Sequence, residues 1–379
     1  MMKVISRMAA ISCLALAANA LEFNEYGHRS MAMGGAGVAV QDNPYAIFYN
    51  PALIGSNTNA RFGYGLGGEF FEKNLLDLFK QRFNNIDNAS SLNSLLRDNY
   101  LSVKIKNVWG LKAPELFPYG NFGVGFAQST YVASNFTGSI PNNETNINNA
   151  NVRFNIRRVD LMEIPLSYGL SVETPSGNLS WGVALKFMNM SHSSRSLRVQ
   201  ANTNRRTIRD ELRKAVNGAE SSYKTNIGID AGFVYSPEHI PDFSLGVVAK
   251  NLNRPKFTFS DGKLTLHPQA RLGLSYNFED YFTVASDVDL TSNSMLSPYG
   301  KPKQRSQKVG IGAEFHHPYV DTRWGIAKDL RQNDGAILSF GAGVGLLEFG
   351  VAVGTKEVRV NDKRYPRYFS LQIGGNFEF

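Results

Sequence analysis

The feature that most constrains this chain is a strict alternation of apolar and polar residues, clearest over Arg367–Phe379. One set of alternate positions holds Phe369, Leu371, Ile373, Gly375, Phe377 and Phe379. The other set holds Ser370, Gln372, Gly374, Asn376 and Glu378. Because successive side chains of a strand point to opposite faces, this segment predicts a strand with one apolar and one polar face. Such strands are typical of a membrane β-barrel, which is apolar outside and polar inside.

The alternation recurs along the chain and predicts about fourteen strands, an even number as expected for a single-chain bacterial barrel. The candidates are Ala60–Phe71, Tyr100–Leu111, Asn121–Tyr131, Asp160–Val172, Leu179–Met190, Tyr223–Tyr235, Phe243–Asn251, Ala270–Phe278, Tyr281–Leu290, Lys308–Phe315, Val320–Lys328, Ala336–Leu346, Glu348–Lys356 and Arg367–Phe379. We therefore predict an all-β fold, a transmembrane antiparallel β-barrel over residues 60–379. The competing class is a soluble periplasmic all-β protein.

The connections between these strands also follow a pattern. Numbered from the first strand, most even-to-odd connections are short, such as Glu279-Asp280, whereas odd-to-even connections such as Ser191–Ser222 are mostly long. Bacterial barrels have short periplasmic turns and long external loops, and a soluble sandwich has no reason to sort its loops in this way. Apolar residues at helical spacing predict helices in two external loops, near residues 72–99 and 205–219.

Residues 1–20 have the layout of a secretory signal peptide. Lys3 and Arg7 form a basic segment that precedes the short apolar run Met8–Ala17. Ala18-Asn19-Ala20 is a cleavage motif. The one cysteine of the chain, Cys13, lies in this leader. The mature chain is therefore expected to lack disulfides, thiolate metal sites and a cysteine nucleophile. We predict export to the outer membrane of a Gram-negative bacterium.

The formal net charge of +8 suits a surface that faces anionic lipid, including lipopolysaccharide. It does not by itself argue for a nucleic-acid partner, and none is expected. Five basic residues crowd the second predicted loop helix: Arg205, Arg206, Arg209, Arg213 and Lys214. They indicate either contact with phosphates of lipopolysaccharide or of another anionic ligand, or a solvated helix face.

The alternation also assigns many glycines to the inward face of the barrel. They are Gly182, Gly228, Gly246, Gly273, Gly310, Gly312, Gly341, Gly343, Gly345 and Gly350. Glycine inside a strand often marks a place where another backbone comes close. We expect residues 21–59, which contain a glycine-rich run at Gly34–Val40, to fold as an N-terminal hatch inside the lumen.

Five inward charged residues form the candidate site: Arg271, Asp287, Asp289, Glu314 and Arg323. Because lumenal charges are normally paired, we expect a charge network that clamps the hatch. The alternative is a catalytic pair or metal site built on Asp287 and Asp289, with Glu314 as third partner. Adjacent histidines on an extended segment point apart, so His316 and His317 make a poor chelate. No catalytic residue, cofactor or metal is expected.

A second candidate site lies in the first loop helix, whose apolar face comprises Leu75, Phe79, Phe83 and Ile86. This face predicts either an external groove that collects hydrophobic ligands or self-packing of the loops over the barrel mouth.

Two parts of the sequence carry a family resemblance. The run Gly34–Val40, followed by Ala46–Ala52, resembles the N-terminal hatch of the FadL/TodX superfamily of outer-membrane transporters. The segments Arg271–Tyr276, Phe282–Leu290 and Val309–Phe315 resemble the barrel of the plasmid-transfer TraF-type proteins, a branch of the same group. The PorV-like barrels share the hatch as well.

The resemblance places six motif residues in the hatch: Gly34, Gly35, Gly37, Asn50, Pro51 and Ala52. It implies passive passage of small hydrophobic molecules, which would leave through a lateral opening or past a moved hatch. The alternative is a non-transport envelope component of a conjugation system (TraF-type) or a secretion system (PorV-like). The hatch glycines fit either simple packing inside the barrel or a moving gate.

Overall fold

A computed structural model describes the chain from Leu21 to Glu378, apart from residues 57–58, 81–88, 118–119, 142–149, 201–202, 204, 218–221, 241, 261, 280, 299–303, 333 and 361–362. The predicted signal peptide, residues 1–20, lies outside the described residues. No helix in the described part is both long and apolar enough to cross a bilayer.

Fourteen antiparallel strands pair in chain order and close into a barrel, because β1 pairs with both β2 and β14. They are β1 Arg61–Lys73, β2 Tyr100–Phe117, β3 Gly120–Ser139, β4 Asn151–Thr174, β5 Gly177–Arg198, β6 Ser222–Pro237, β7 Phe243–Lys250, β8 Gln269–Phe278, β9 Phe282–Asp289, β10 Lys308–Phe315, β11 Asp321–Asp329, β12 Ala336–Val344, β13 Leu347–Gly354 and β14 Tyr368–Glu378. Each predicted strand corresponds to one of them, so the predicted fold class is confirmed.

Three strands extend well beyond their predicted ends, namely β3, β4 and β5, of 20, 24 and 22 residues. Their extensions are buried on both faces around Phe136 and Phe154. The two-residue alternation of apolar and polar side chains therefore disappears there, although the strands continue. The barrel wall is taller on this side than around β7 to β14.

Helices cover the outer face of the tall wall. They are α4 Leu75–Lys80, α5 Ala89–Arg97 and α6 Arg205–Asn217. Leu92 and Leu96 of α5 and Ile208 of α6 are buried in one apolar cluster with Phe136 and Phe154 of the wall. The loop helices therefore pack against one another and against the outer face of the wall, outside the barrel.

Three short hairpins lie in the long loops. They pair Lys256–Phe259 with Gly262–Thr265, Asn293–Ser294 with Arg305–Ser306, and Glu357–Val360 with Lys363–Pro366. The first is called the inner hairpin below, because Phe257 and Leu264 are buried in a cluster with the inward-facing Tyr131 and Met188. It packs against the inner face of the tall wall.

The N-terminal segment, Leu21–Ser56, contains three short helices, α1 His28–Ala32, α2 Ala46–Tyr49 and α3 Leu53–Ser56. Almost every residue of it is buried. Helix α1 contacts β11 to β14, whereas α2 and α3 contact β2 to β6. A segment that touches strands all around a closed barrel occupies its lumen. This segment is called the hatch below.

Candidate functional site

Inward-facing glycines of the wall receive the backbone of the hatch. An added Cβ at Gly312 would lie 2.4 Å from the Cα of Met33, and one at Gly182 would lie 2.3 Å from the carbonyl oxygen of Pro51. Because real Cβ atoms do not approach so closely, the hatch fits only where these side chains are missing. An added Cβ would also lie too close to hatch backbone at Gly246, Gly310, Gly325 and Gly350, and too close to hatch side chains at Gly232, Gly273 and Gly341.

Three glycines that the sequence assigned to the inner face do not meet the hatch. Gly228 contacts the flexible side chains of Lys186 and Met188, and Gly343 contacts Glu348. Gly345 lies in a turn with a φ of +59° and has nothing within 4 Å of an added Cβ. The alternation predicts on which face of the strand a residue lies, but it does not predict which atoms that residue contacts.

The glycines of the hatch motif lie at tight positions. Gly34 has a φ of +68°, and an added Cβ there would lie 2.8 Å from the carbonyl oxygens of Ile311 and Ile326. Gly35 also has a positive φ of +87°. An added Cβ at Gly37 would lie 2.7 Å from the ring of Tyr49. These glycines therefore permit both the chain reversal and the close approach to the wall.

The Asn50-Pro51-Ala52 element ties the hatch to itself and to the wall. The Asn50 amide nitrogen donates to the carbonyl oxygens of Val38 at 3.0 Å and of Phe233, on β6, at 3.2 Å. Its Oδ1 accepts from the Ala52 backbone N–H at 3.0 Å. The carbonyl group of Pro51 packs against Gly182 of β5. One buried amide thus joins two parts of the hatch to the wall, a role that the sequence did not indicate.

The five predicted lumenal charges form two groups instead of one network. The first group lies on β8 and β9, where Arg271 Nε donates to Asp289 at 2.7 Å. The Asp287 carboxylate accepts from the backbone N–H groups of Gly37 at 3.0 Å and Val38 at 3.2 Å. Asp287 therefore holds the glycine-rich run directly, and its carboxylate is occupied by the hatch.

The second group lies on β10, β11 and β13. Glu314 accepts from Arg323 at 2.5 Å and from Arg29 of the hatch at 2.8 Å, and Arg323 also pairs with Glu348. His28 of the hatch lies 3.0 Å from the same Glu348. Two hatch residues, Arg29 and His28, thus enter a buried ion-pair chain of the wall.

Several charged residues of the lumen were not predicted from the sequence, among them Glu69, Lys104, Lys106 and Glu163, although these lie on the inward parity of their strands, whereas Lys186 and Asp230 were predicted to face inward. Glu69, Lys104 and Lys106 pair across β1 and β2, and Lys186 pairs with Glu163 and Asp230. Extending the alternation consistently would have found the wall residues. The hatch partners have no periodic pattern, so Arg29 and Glu25 could not be found in this way.

Glu25 is an acidic residue of the hatch that, like Arg29, forms an ion pair with the wall. Its carboxylate lies 2.9 Å from Lys308 of β10. Burial alone would raise the pKa of Glu25, but the charges of Lys308, Lys106 and Arg271 outweigh it and lower the pKa to about 2. Glu25 is therefore ionised and attracted to the wall at neutral pH.

A histidine and two carboxylates meet where β10 turns into β11. His316 Nε2 lies 3.4 Å from Glu314, and its Nδ1 lies 3.3 Å from Asp321. The group has the residue types of a metal site. However, the two ring nitrogens face different carboxylates, and Glu314 already binds two arginines. This arrangement is that of a chain of polar contacts, in which each ring nitrogen of His316 faces a different carboxylate.

Two cavities adjoin these groups. A polar cavity of about 500 Å³ lies at the short-turn end of the lumen, lined by Arg29, Glu314 and Arg323 among others. An apolar groove of about 470 Å³ lies on the outer wall at Gly67 and Gly68, where β1 meets β2 and β14. Glu69 and Lys104 line this groove, and they also line a cavity of about 20 Å³ on the lumenal side.

The predicted ligand face of the first loop helix is only partly described. Leu75 is fully buried in the apolar cluster outside the barrel. Phe83 and Ile86 lie outside the described residues, as does the side chain of Phe79. In α6, Arg206, Arg209, Arg213 and Lys214 are exposed, and the side chain of Arg205 lies outside the described residues.

A closed fourteen-stranded barrel with an N-terminal segment in its lumen defines the class of this protein. The protein-family model described as "F plasmid transfer operon, TraF, protein" matches residues 47–289. The chain belongs to this family, because the match covers more than half of it. No curated protein matches the chain.

Solved structures share the fold. The toluene transporter TodX of Pseudomonas putida is 14% identical with a TM-score of 0.55, over 94% of this chain and 98% of that one. The Ralstonia pickettii toluene transporter TbuX is 14% identical with a TM-score of 0.52, over 94% and 98%. A Pseudomonas aeruginosa FadL homologue is 12% identical with a TM-score of 0.52, over 95% and 99%. At these identities the likeness shows the fold, and the predicted resemblance to both groups is confirmed.

Proposed function

We propose that this protein is an outer-membrane barrel that lets small hydrophobic molecules pass without energy input, cofactor or catalysis. Membrane embedding is supported by the outer wall, where large apolar side chains are exposed on strands all around the barrel. Examples are Leu66, Ile105, Leu185, Phe187, Ile227, Ile311, Ile326, Leu338 and Ile373. Outward aromatic pairs such as Tyr168–Trp181 and Trp324–Phe340 fit the aromatic girdle of such barrels.

The observation that carries the proposal is the thin partition between lumen and outer groove. Glu69 and Lys104 are cross-strand partners on β1 and β2 and pair at 2.5 Å. They line the lumenal cavity on one side and the apolar groove on the other. On the groove side Gly68 adds no side chain, and an added Cβ there would meet only the carbonyl oxygen of Lys104, at 4.0 Å.

Passage of a hydrophobic solute is also supported by the apolar side chains on the inward face of the tall wall. Tyr131, Leu161 and Met188 face inward there and pack against the inner hairpin. A water-filled pore is lined by polar side chains instead. Methionine adapts readily to different apolar shapes, which suits a site that accepts several small hydrophobic molecules.

Lateral exit fits the geometry better than passage past the hatch. The hatch is held by close backbone contacts and by the buried ion pairs of Arg29 and Glu25. The wall beside Gly68 is closed by continuous pairing of β1 with both neighbours. Opening this wall requires separation of one strand pair and loss of the Glu69–Lys104 ion pair.

The test is uptake of a small aromatic hydrocarbon and of a long-chain fatty acid by cells with an intact lipopolysaccharide leaflet. A deletion strain is complemented with the wild type, with Gly68→Leu or with Ala313→Leu. Gly68→Leu fills the groove and is expected to lower uptake at least severalfold, whereas Ala313→Leu places the same side chain on the outer face of β10, away from the groove. Equal permeation of every hydrophobic solute with and without the wild-type protein would sink the proposal.

A second candidate function is a non-transport envelope component of a conjugation or secretion system. The family match over residues 47–289 favours it. Gene neighbourhood separates the two roles, because mating-pair or secretion genes beside this one support the envelope role. Catabolic or fatty-acid genes support passage of solutes. In a conjugation assay, the envelope role predicts loss of plasmid transfer on deletion with unchanged hydrocarbon uptake.

A further inference from the structure

Helix α6 presents a stripe of arginines away from the barrel. Ile208 and Leu212 pack its apolar side into the cluster on the outer face of the tall wall. Arg206, Arg209 and Arg213, spaced by three and four residues, lie on the other side of the helix and are exposed. The stripe extends over about 10 Å, at 1.5 Å per residue.

The arginine stripe is fixed in place but not neutralised. Glu211 of the same helix lies 3.7 Å from Arg195 of β5 and 2.7 Å from Lys214. Among the described residues no carboxylate lies within ion-pair distance of the three arginines of the stripe. A row of exposed guanidinium groups on an anchored helix favours a ligand that carries several phosphates, because arginine binds phosphate through two parallel hydrogen bonds.

The height of the helix above the membrane indicates which phosphates it meets. Phe187 is the uppermost exposed apolar residue on the outer face of β5, and Arg195, beside α6, is eight residues further along the strand. With about 3.3 Å per residue and a tilt of about 40°, Arg195 stands roughly 20 Å above the apolar belt. Lipid A phosphates lie at the edge of the hydrocarbon layer, whereas core-sugar phosphates lie further out.

We propose that Arg206, Arg209 and Arg213 form a binding site for the phosphorylated core saccharide of lipopolysaccharide. The site would hold the tall side of the barrel against the outer leaflet and is separate from the solute route. It rests on the outer-membrane placement proposed above. Binding is measured on purified protein, so its failure is distinguishable from a failure of solute uptake.

The test uses the full mature chain in detergent and native mass spectrometry. The probes are lipopolysaccharide with a phosphorylated core, the same molecule without core phosphates, and lipid A alone. The variant Arg206→Gln/Arg209→Gln/Arg213→Gln is compared with Arg254→Gln/Arg331→Gln/Arg364→Gln, which removes three exposed arginines elsewhere. Replacement of the stripe by three lysines keeps the charge.

Each arginine near an anionic surface contributes about fivefold in affinity, so the stripe variant is expected to bind the phosphorylated core about a hundredfold more weakly. The control variant should keep its affinity, whereas the lysine variant should keep only part of it, because lysine retains the charge but cannot form the two parallel hydrogen bonds. Three results would overturn the proposal. They are unchanged binding by the stripe variant, equal binding of the probe without core phosphates, and a stripe-dependent affinity for duplex DNA that exceeds that for lipopolysaccharide.

Discussion

At the scale of single residues, glycines of the wall determine where the hatch lies, because they have no side chain. Gly182 and Gly312, on opposite sides of the barrel, each admit hatch backbone to a distance that any larger residue would forbid. Polar contacts then fix the register, with Asp287 accepting from two backbone N–H groups and Asn50 joining two parts of the hatch to the wall. Each contact is local, but together they leave one position for the hatch.

The substitution Gly312→Ala tests this argument. The added methyl would meet the backbone of Met33, so the hatch must shift, at a cost of about 1–3 kcal/mol. Limited proteolysis should show faster cleavage within residues 21–56. Gly228→Ala is the matched control, since its methyl meets only the flexible ends of Lys186 and Met188. Equal cleavage of the hatch in the two variants would contradict the argument.

At the scale of elements, the hatch is held by ion pairs in its N-terminal part and by close packing along the rest. Arg29 binds Glu314 near the short-turn end, and Glu25 binds Lys308 further up the lumen. The hatch helices have four or five residues each, too few to be stable alone. The hatch therefore depends on the wall for its structure.

Glu25 makes the stability of the hatch depend on pH. Its pKa is about 2 in the folded hatch, against the ordinary glutamate value of 4.5. Because the folded pKa is the lower one, the stabilising contribution is complete above about pH 4.5 and is lost as the pH falls towards 2. At pH 4.5, pepsin should cut residues 21–56 faster in Glu25→Gln than in the wild type, and this difference should vanish near pH 2.

The exposed turn variant Glu238→Gln serves as the control and should behave like the wild type at both pH values. If the wild type and Glu25→Gln are cut at the same rate at pH 4.5, the ion pair with Lys308 does not stabilise the hatch.

How much could be predicted from the sequence differs between these elements. The strands followed from alternation because one face of each is apolar along most of its length. The upper parts of β3 to β5 were missed because Phe136 and Phe154 are buried beneath helices, which removes the alternation. The five charged residues of the candidate site were predicted, but the ion pairs between hatch and wall were not. Arg29 and Glu25, which form these pairs, come from a segment without a repeat.

At the scale of the whole molecule, the barrel has two unequal sides. The tall side, β2 to β6, carries the helices and the arginine stripe on its outer face and apolar residues such as Met188 on its inner face. The short side receives α1 through Gly312, Gly341 and Gly350. The apolar groove at Gly68 lies close to where the tall side begins. A solute entering over the tall side would thus meet an apolar lining before the partition of Glu69 and Lys104.

The most direct test of the account is uptake through a barrel whose partition can be locked. Directly opposite residues of antiparallel strands have Cβ atoms about 4.5–5.5 Å apart, so cysteines at positions 69 and 104 need only small adjustments to form a disulfide. The double variant Glu69→Cys/Lys104→Cys is compared with Ser167→Cys/Ala184→Cys, an inward pair directly opposite on β4 and β5. Hydrocarbon uptake is measured in cells before and after reduction.

Oxidation is expected to block uptake in the 69–104 variant and reduction is expected to restore it, with no effect of either treatment in the 167–184 variant. Uptake that continues unchanged with the 69–104 disulfide formed would contradict lateral passage between β1 and β2.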